Sequence, residues 1–209
     1  MGFLSNAVDY FFRGGPCMWP LLLCSFMAIV IGFERICYYR QAFSEDSFIV
    51  PFREAMHRFD IDEAQELARR AKGDAAEMAR DMLAVEDEEL GKRYEAIVYG
   101  KTDRYVDQWE AHLNYLEVII GLSPMLGLLG TITGMISSFN ALNERVNNPL
   151  AVTAGIGEAL ITTVFGLIIS ILGMLILAYL NSRLKTGVLR INELADVLVN
   201  IYNIRHKVD

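Results

Sequence analysis

Two stretches decide the fold of this chain: Gly121-Leu-Ser-Pro-Met-Leu-Gly-Leu-Leu-Gly-Thr131-Ile-Thr-Gly-Met-Ile-Ser-Ser-Phe139 and Gly155-Ile-Gly-Glu158-Ala-Leu-Ile-Thr-Thr163-Val-Phe-Gly-Leu-Ile-Ile-Ser170. No charged residue lies between Val118 and Asn143, and none lies between Ala159 and Ser182. Each run is longer than the roughly 20 residues that a helix needs to cross the hydrocarbon core of a bilayer. We therefore predict two membrane-spanning helices joined by a short polar loop.

A third uncharged run lies near the N-terminus, from Cys17 to Phe33. Trp19 and the Tyr38-Tyr39 pair supply aromatic residues at its two ends, as is usual at membrane–water interfaces. The charged residues gather in the segment that follows this run and in the C-terminal tail. We predict an all-α membrane protein with three transmembrane helices, the second and third extended into the cytoplasm, plus an N-terminal amphipathic helix and cytoplasmic helices.

The predicted segments follow from hydropathy and from the placement of Lys and Arg. They are an interfacial amphipathic helix (1–14), transmembrane helix 1 (17–36), a cytoplasmic helical region (41–116), transmembrane helix 2 (117–142), a periplasmic loop (143–154), transmembrane helix 3 (155–181) and a cytoplasmic C-terminal helix (182–209). The loop carries only Arg145 and the N-terminus only Arg13, whereas the other two soluble segments carry several basic residues. The positive-inside rule therefore places the N-terminus and the loop outside.

Local signals refine the helical region. Asp60-Ile-Asp-Glu63 and Asp74-Ala-Ala-Glu77 have the spacing of capping boxes, in which the Asp and the Glu each satisfy a free backbone donor at a helix start. Proline is absent from Phe52 through Ser123. We therefore expect a helix that begins around Asp103 to run unbroken into transmembrane helix 2. A polar helix from Arg183 to about His206 follows helix 3, with Ile191, Leu194, Val197, Leu198 and Ile201 on one face.

Composition excludes several function classes. The net charge of −7 argues against nucleic acid as a partner, because nucleic-acid-binding proteins present a basic face. The three cysteines form no CxxC pair and the three histidines show no ligand spacing, so we predict no metal and no cofactor. Neither a nucleophile–base motif nor a phosphate-binding loop is present, and we predict that the chain is not an enzyme.

Small residues recur at three- and four-residue steps in both long spans. Gly127, Gly130 and Gly134 follow this spacing in helix 2, and Gly166 and Ser170 follow it in helix 3. Because lipid supplies no hydrophobic drive for helix association, close contact between membrane helices requires small residues. We interpret these five positions as helix–helix packing residues.

Thr131, Thr163 and Glu158 are the candidate functional residues. The two hydroxyls either bond to carbonyls of their own helices or face a shared interior, where they could hold water or a partner's acid. An acid inside a membrane span is costly and is a functional candidate by default. Glu158 either reaches the outer headgroups, pairs with Arg145 or a partner's base, or faces a cavity where it exchanges protons. Thr162 lies one turn further on, whereas Thr163 lies about 140° round the helix at roughly 100° per residue.

At these residues the sequence resembles the ExbB/TolQ/MotA proton-channel family. Residues 124–139 are similar to that family's second-helix signature, and residues 155–167 are similar to its third-helix signature. Three spans with the N-terminus outside resemble ExbB and TolQ more than MotA, which has four spans. Two departures stand out: Leu172 occupies a region where the family often has proline, and the family's Tyr-Asn pair is replaced by Tyr179-Leu-Asn181.

The resemblance implies a homopentamer in the bacterial inner membrane, whose second and third helices line a central pore. It implies that this pore holds a dimer of an ExbD- or TolR-like single-span protein, each copy with a transmembrane aspartate, and that a TonB- or TolA-like protein receives the force. Thr131 and Thr163 match the family's pore threonines, and Glu158 matches its glutamate. These implied properties favour a proton-channel subunit that couples the proton motive force to mechanical work across the periplasm.

Two alternatives remain open from the sequence. One is a Tol-type motor for envelope maintenance rather than a TonB-type motor for transport. The other is a non-conducting structural scaffold, whose glycines only pack helices and whose cytoplasmic helices recruit partners. The sequence is also compatible with either H⁺ or Na⁺ as the transported ion.

Overall fold

The chain folds into helices. The computed structural model describes residues 11, 14–84, 91–144 and 149–205, and within these ranges it does not describe the side chains of residues 46, 91, 92, 141–144, 149–154 and 158. The α-helices are α1 (Met18–Ala42), α2 (Ile49–His57), α3 (Ile61–Arg70), α4 (Asp74–Leu83), α5 (Gly91–Glu110), α6 (Leu113–Glu144) and α7 (Pro149–Arg205), and a 3₁₀ turn (Asp46–Phe48) precedes α2. The predicted amphipathic helix at 1–14 falls almost wholly outside the described residues.

Within the described residues, three helical stretches are long and apolar enough to cross a membrane. They are Met18–Ala42, Arg93–Asn140 and Gly155–Arg205. Large apolar side chains on them face outward, including Phe26, Met125 and Leu175, each more than 60% exposed. Such surfaces suit a lipid or a protein neighbour within the bilayer better than water. The prediction of an all-α membrane protein with three transmembrane helices is confirmed.

The chain divides into two compact units. Unit 1 comprises residues 1–33 and 112–179, and unit 2 comprises residues 34–111 and 180–209. In unit 1, α6 and α7 run antiparallel: Gly134 lies against Ala159 near one end, and Gly173 lies against Ile120 near the other. The first part of α1 runs parallel to α7, because Gly14 meets Thr162 and Gly32 meets Ile176.

Unit 2 has a core of large buried apolar side chains. Its largest fully buried side chains include Phe52, Met78, Trp109, Leu194 and Leu198. Aromatic contacts join its elements, with Tyr94 stacked on Tyr202 at 3.9 Å and Phe43 edge-on to Trp109 at 4.8 Å. One face of the C-terminal half of α7 is buried here, as Ile191, Leu194, Val197, Leu198 and Ile201 are all less than 9% exposed.

One of the two predicted capping boxes is present in part. The Asp60 carboxylate accepts a hydrogen bond from the Glu63 backbone amide at 3.0 Å, whereas the Glu63 side chain pairs with Arg58. The prediction for Asp74 is wrong: Gly73 is the N-cap of α4, with φ of 104°, and Asp74 accepts a bond from the Trp109 indole at 2.6 Å. The Asp74 carboxylate, which local spacing assigns to a helix cap, therefore binds a donor that is distant in sequence, the Trp109 indole.

One prediction about helix continuity is also wrong. The expected unbroken helix into span 2 is interrupted after Glu110, where His112 adopts a φ of 68° before α6 begins. The third span and the C-terminal helix form one helix of 57 residues. At 1.5 Å per residue α7 is roughly 86 Å long, so it must continue well beyond the approximately 30 Å hydrocarbon core.

Candidate functional site

The candidate site is the contact between α6 and α7 within unit 1, called here the α6–α7 contact. Glycines let the two backbones approach closely. A Cβ atom added at Gly127 would lie 2.9 Å from Thr163 Cα, and one added at Gly166 would lie 2.5 Å from the Ser123 carbonyl oxygen. Real Cβ atoms do not approach other atoms this closely, so these positions accept hydrogen alone.

The remaining small residues extend the contact toward the loop end. A Cβ at Gly134 would lie 2.6 Å from Ala159 Cβ, and one at Gly130 would lie 2.5 Å from Thr162 Cγ2. The small faces that the sequence predicts on the two helices therefore meet each other within one chain. Whether this contact forms the wall of a pore stays a prediction.

Two hydroxyl groups of α7 cross the contact to carbonyls of α6. Thr163 Oγ1 donates to the Gly127 carbonyl at 2.8 Å, and Ser170 Oγ donates to the Ile120 carbonyl at 2.9 Å. Both acceptors lie near Pro124, whose ring nitrogen cannot donate to the carbonyl one turn earlier, that of Ile120. Ser170 therefore supplies a donor to a carbonyl that its own helix leaves without one.

Several hydroxyls of α6 donate to carbonyls of their own helix. Thr131 Oγ1 donates to the Leu128 carbonyl at 2.7 Å, and the Ser123 and Ser138 hydroxyls donate to the carbonyls four residues earlier. Thr131 is buried, at 8% exposure. Thr131 and Thr163 thus lie on the same helix pair but donate to different carbonyls. Because each hydroxyl oxygen keeps its lone pairs when it donates, it can still accept a further hydrogen bond.

Glu158 lies on α7 one turn before Thr162, but its side chain is among those that the structure does not describe. The predictions for its carboxylate therefore lie outside the described residues. In the described part of the chain, His, Cys, Asp and Glu side chains form no group of three that could hold a metal ion.

Thr162 is the residue whose structural role the sequence does not show. It is fully buried, and its Oγ1 donates to the Gly14 carbonyl at 2.8 Å. The two residues are 148 positions apart, and no spacing rule connects them. The adjacent threonines of α7 therefore bond to two different segments, Thr162 to the N-terminal turn and Thr163 to α6.

Comparisons with known proteins point in one direction. The model of the MotA/TolQ/ExbB proton channel family matches residues 66–193. An ExbB-like biopolymer transport protein of Synechocystis is 34% identical over 182 residues, which cover 84% of this chain and 70% of that protein. An ExbB homolog of Methanothermobacter thermautotrophicus is 26% identical over 190 residues, covering 88% of this chain and 66% of the homolog. The Tol-Pal system protein TolQ of Haemophilus influenzae is 36% identical over 70 residues, 33% of this chain and 31% of TolQ.

Proposed function

Because this chain belongs to the MotA/TolQ/ExbB proton channel family, we propose that it is the pore-wall subunit of an inner-membrane motor driven by the proton motive force. The chain is a multi-pass membrane protein with three apolar helices, and the family assignment makes it a component of a proton channel. The finer proposal is that the α6–α7 contact forms the wall of the ion pathway and that the output is TonB-type energisation of transport.

The observation that carries this proposal is the polarity of the α6–α7 contact. The apolar stretches of α6 and α7 are almost free of charged residues. Where the two helices meet, they nevertheless place hydroxyl groups and close-packed glycines on one shared face. The apolar runs 118–143 and 155–182 of these spans contain a single acid, Glu158. Hydroxyls within a membrane can solvate a passing proton or a partner's carboxylate, which apolar side chains cannot do.

One acid does not make a complete proton path, so we propose that a partner supplies another. An ExbD- or TolR-like single-span dimer with a transmembrane aspartate, held inside a homopentamer of this chain, meets that need. Each elementary charge that crosses the membrane releases about 2.3 kcal/mol per 100 mV. A TonB- or TolA-like protein would carry the resulting work across the periplasm. Names of relatives support the transport role, since the Synechocystis and Methanothermobacter relatives both carry the name biopolymer transport protein.

The proposal is tested by proton flux into liposomes that contain this chain and its single-span partner. We expect Thr131→Val, Thr163→Val and Glu158→Ala each to reduce flux at least about tenfold while the complex still assembles, because each removes a polar group from the pathway. Thr133→Val is the matched control, because Thr133 is exposed and its hydroxyl donates to carbonyls of its own helix, those of Leu129 and Gly130.

Normal flux in all three variants would overturn the proposal. The scaffold alternative makes the opposite forecast: Glu158→Gln would be silent, and liposomes bearing the complex would show no pH-dependent conductance. A Tol-type motor would conduct protons equally well, so flux does not distinguish it from a TonB-type motor. A null strain distinguishes them: loss of energised nutrient uptake indicates the TonB type, and loss of envelope integrity indicates the Tol type.

A further inference from the structure

The turn at residues 14–17, just before α1, packs against the α6–α7 contact. Gly14 is buried, and a Cβ placed on it would overlap the Met18 side chain and lie 3.2 Å from Thr162 Oγ1. The Gly14 carbonyl accepts the Thr162 hydroxyl hydrogen bond described above. The N-terminal turn is therefore fitted to α7 both by shape and by a hydrogen bond.

Thr162 joins three segments at one level of unit 1. Its Cγ2 fills the space in front of Gly130, and Cys17 Cβ lies 3.3 Å from the Cβ position of the same glycine. The side chain thus presents its methyl group to α6 and its hydroxyl to the N-terminal turn.

A turn that packs against membrane helices needs its backbone groups satisfied by protein. Non-helical backbone at membrane depth is tolerated only where it is buried in protein or lines a water-filled cavity. Among the described residues, the donor to the Gly14 carbonyl is Thr162. Replacing the hydroxyl with a methyl group would leave that carbonyl without its donor and facing an apolar group. Hydration of the carbonyl would then favour displacement of the turn toward water.

We propose that Thr162 is a positioning residue, which locks the turn at residues 14–17 onto α7 and thereby holds Thr163 in register for the ion pathway. This inference rests on the proposed function for the role of Thr163. The lock itself does not depend on it. Release of the turn would let the Thr162 side chain move from its place in front of Gly130, and the local shift of α7 would weaken the adjacent bond from Thr163 to the Gly127 carbonyl.

The lock is tested by the reactivity of Cys17 in the full-length chain carrying Cys24→Ser and Cys37→Ser, labelled with N-ethylmaleimide in native membranes. We expect Thr162→Val to raise the labelling rate about 3- to 10-fold, the range that corresponds to loss of one interhelical hydrogen bond. Thr162→Ser keeps the hydroxyl and should stay within about twofold of the parent, as should Thr133→Val. Equal rates in Thr162→Val and the parent would overturn the lock.

The effect on the ion pathway is tested by proton flux per assembled complex in liposomes with the single-span partner. We expect flux per complex to fall about 3- to 10-fold in Thr162→Val and to recover in Thr162→Ser. A purely structural role would lower the yield of complex and leave flux per complex unchanged, and this result would overturn the link to Thr163. If the parent conducts no protons, the proposed function and that link both fail, while Cys17 labelling still decides whether the lock exists.

Discussion

The Arg35 and Tyr39 side chains both donate hydrogen bonds to backbone carbonyls in the last turn of α5. Arg35 Nη1 donates to the Gln108 carbonyl at 2.9 Å while its other nitrogens hold the Glu34 carboxylate, and the Tyr39 hydroxyl donates to the Trp109 carbonyl at 2.7 Å. Carbonyls at a helix C-terminus have no intrahelical donor and carry partial negative charge. A guanidinium and a hydroxyl from α1 therefore stabilise the point at which α5 stops.

Tyr39→Phe tests this cap at single-residue resolution. We expect it to lower the free energy of unfolding by about 1–3 kcal/mol, because the Trp109 carbonyl is buried and would lose its donor. The measurement is unfolding of the detergent-solubilised chain, followed by helical circular dichroism. Tyr38→Phe is the matched control: the ring that lies 4.7 Å from the Arg35 guanidinium is kept, and the change should stay within about 0.5 kcal/mol. Equal losses in the two variants would contradict the cap.

At the level of elements, the interruption between α5 and α6 shows how tertiary contacts override local preference. The sequence from Asp103 to Tyr115 contains neither Gly nor Pro, so propensity favours one continuous helix. The chain instead breaks at Ala111-His112, with His112 in the left-handed region that costs roughly 1–2 kcal/mol for a residue with a side chain. Donors from Arg35 and Tyr39 to the freed carbonyls offset this cost.

The α6–α7 contact yields a second prediction, based on paired glycines. Gly166→Ala would place a methyl group 2.5 Å from the Ser123 carbonyl oxygen and 3.2 Å from Gly127 Cα, both in the backbone of the other helix. Because backbone cannot move aside cheaply, we expect a loss of about 1–3 kcal/mol, measured by thermal unfolding in detergent.

Gly121→Ala is the control on the neighbouring helix. No atom lies within 4 Å of the Cβ position at Gly121, so this substitution should be neutral or stabilise the chain by up to about 1 kcal/mol through helix propensity. A Gly166→Ala variant as stable as Gly121→Ala would mean that the two helices are further apart than described.

For the whole molecule, the outstanding prediction is orientation in the membrane. We expect the N-terminus and the loop at 143–154 to lie outside, with the region 41–116 and the tail inside, because Lys and Arg are concentrated in the latter segments. In a cysteine-free background, Asn147→Cys should react with a membrane-impermeant maleimide in intact spheroplasts. Lys72→Cys, at an exposed position of unit 2, should react only after the membrane is permeabilised. The reverse labelling pattern would invert the topology.

The sequence by itself determined the class of protein, the three spans and the small-residue faces of the two long helices. These features follow from composition and period alone, because lipid demands long apolar helices and close helix contacts demand residues such as Gly127 and Gly166. The same motifs were sufficient to identify the family, and they nominated Thr131, Thr163 and Glu158 without showing what each bonds to.

Only the tertiary structure decided which partner each polar group meets. Thr163 bonds to Gly127 across 36 positions and Thr162 to Gly14 across 148, and the stop of α5 depends on side chains more than 65 positions away in α1. Local spacing carries no information about such pairs, because a hydroxyl or a carboxylate bonds to whichever group the fold brings within about 3 Å. Asp74 illustrates the rule: its spacing predicts a helix cap, and the folded chain gives its carboxylate to Trp109.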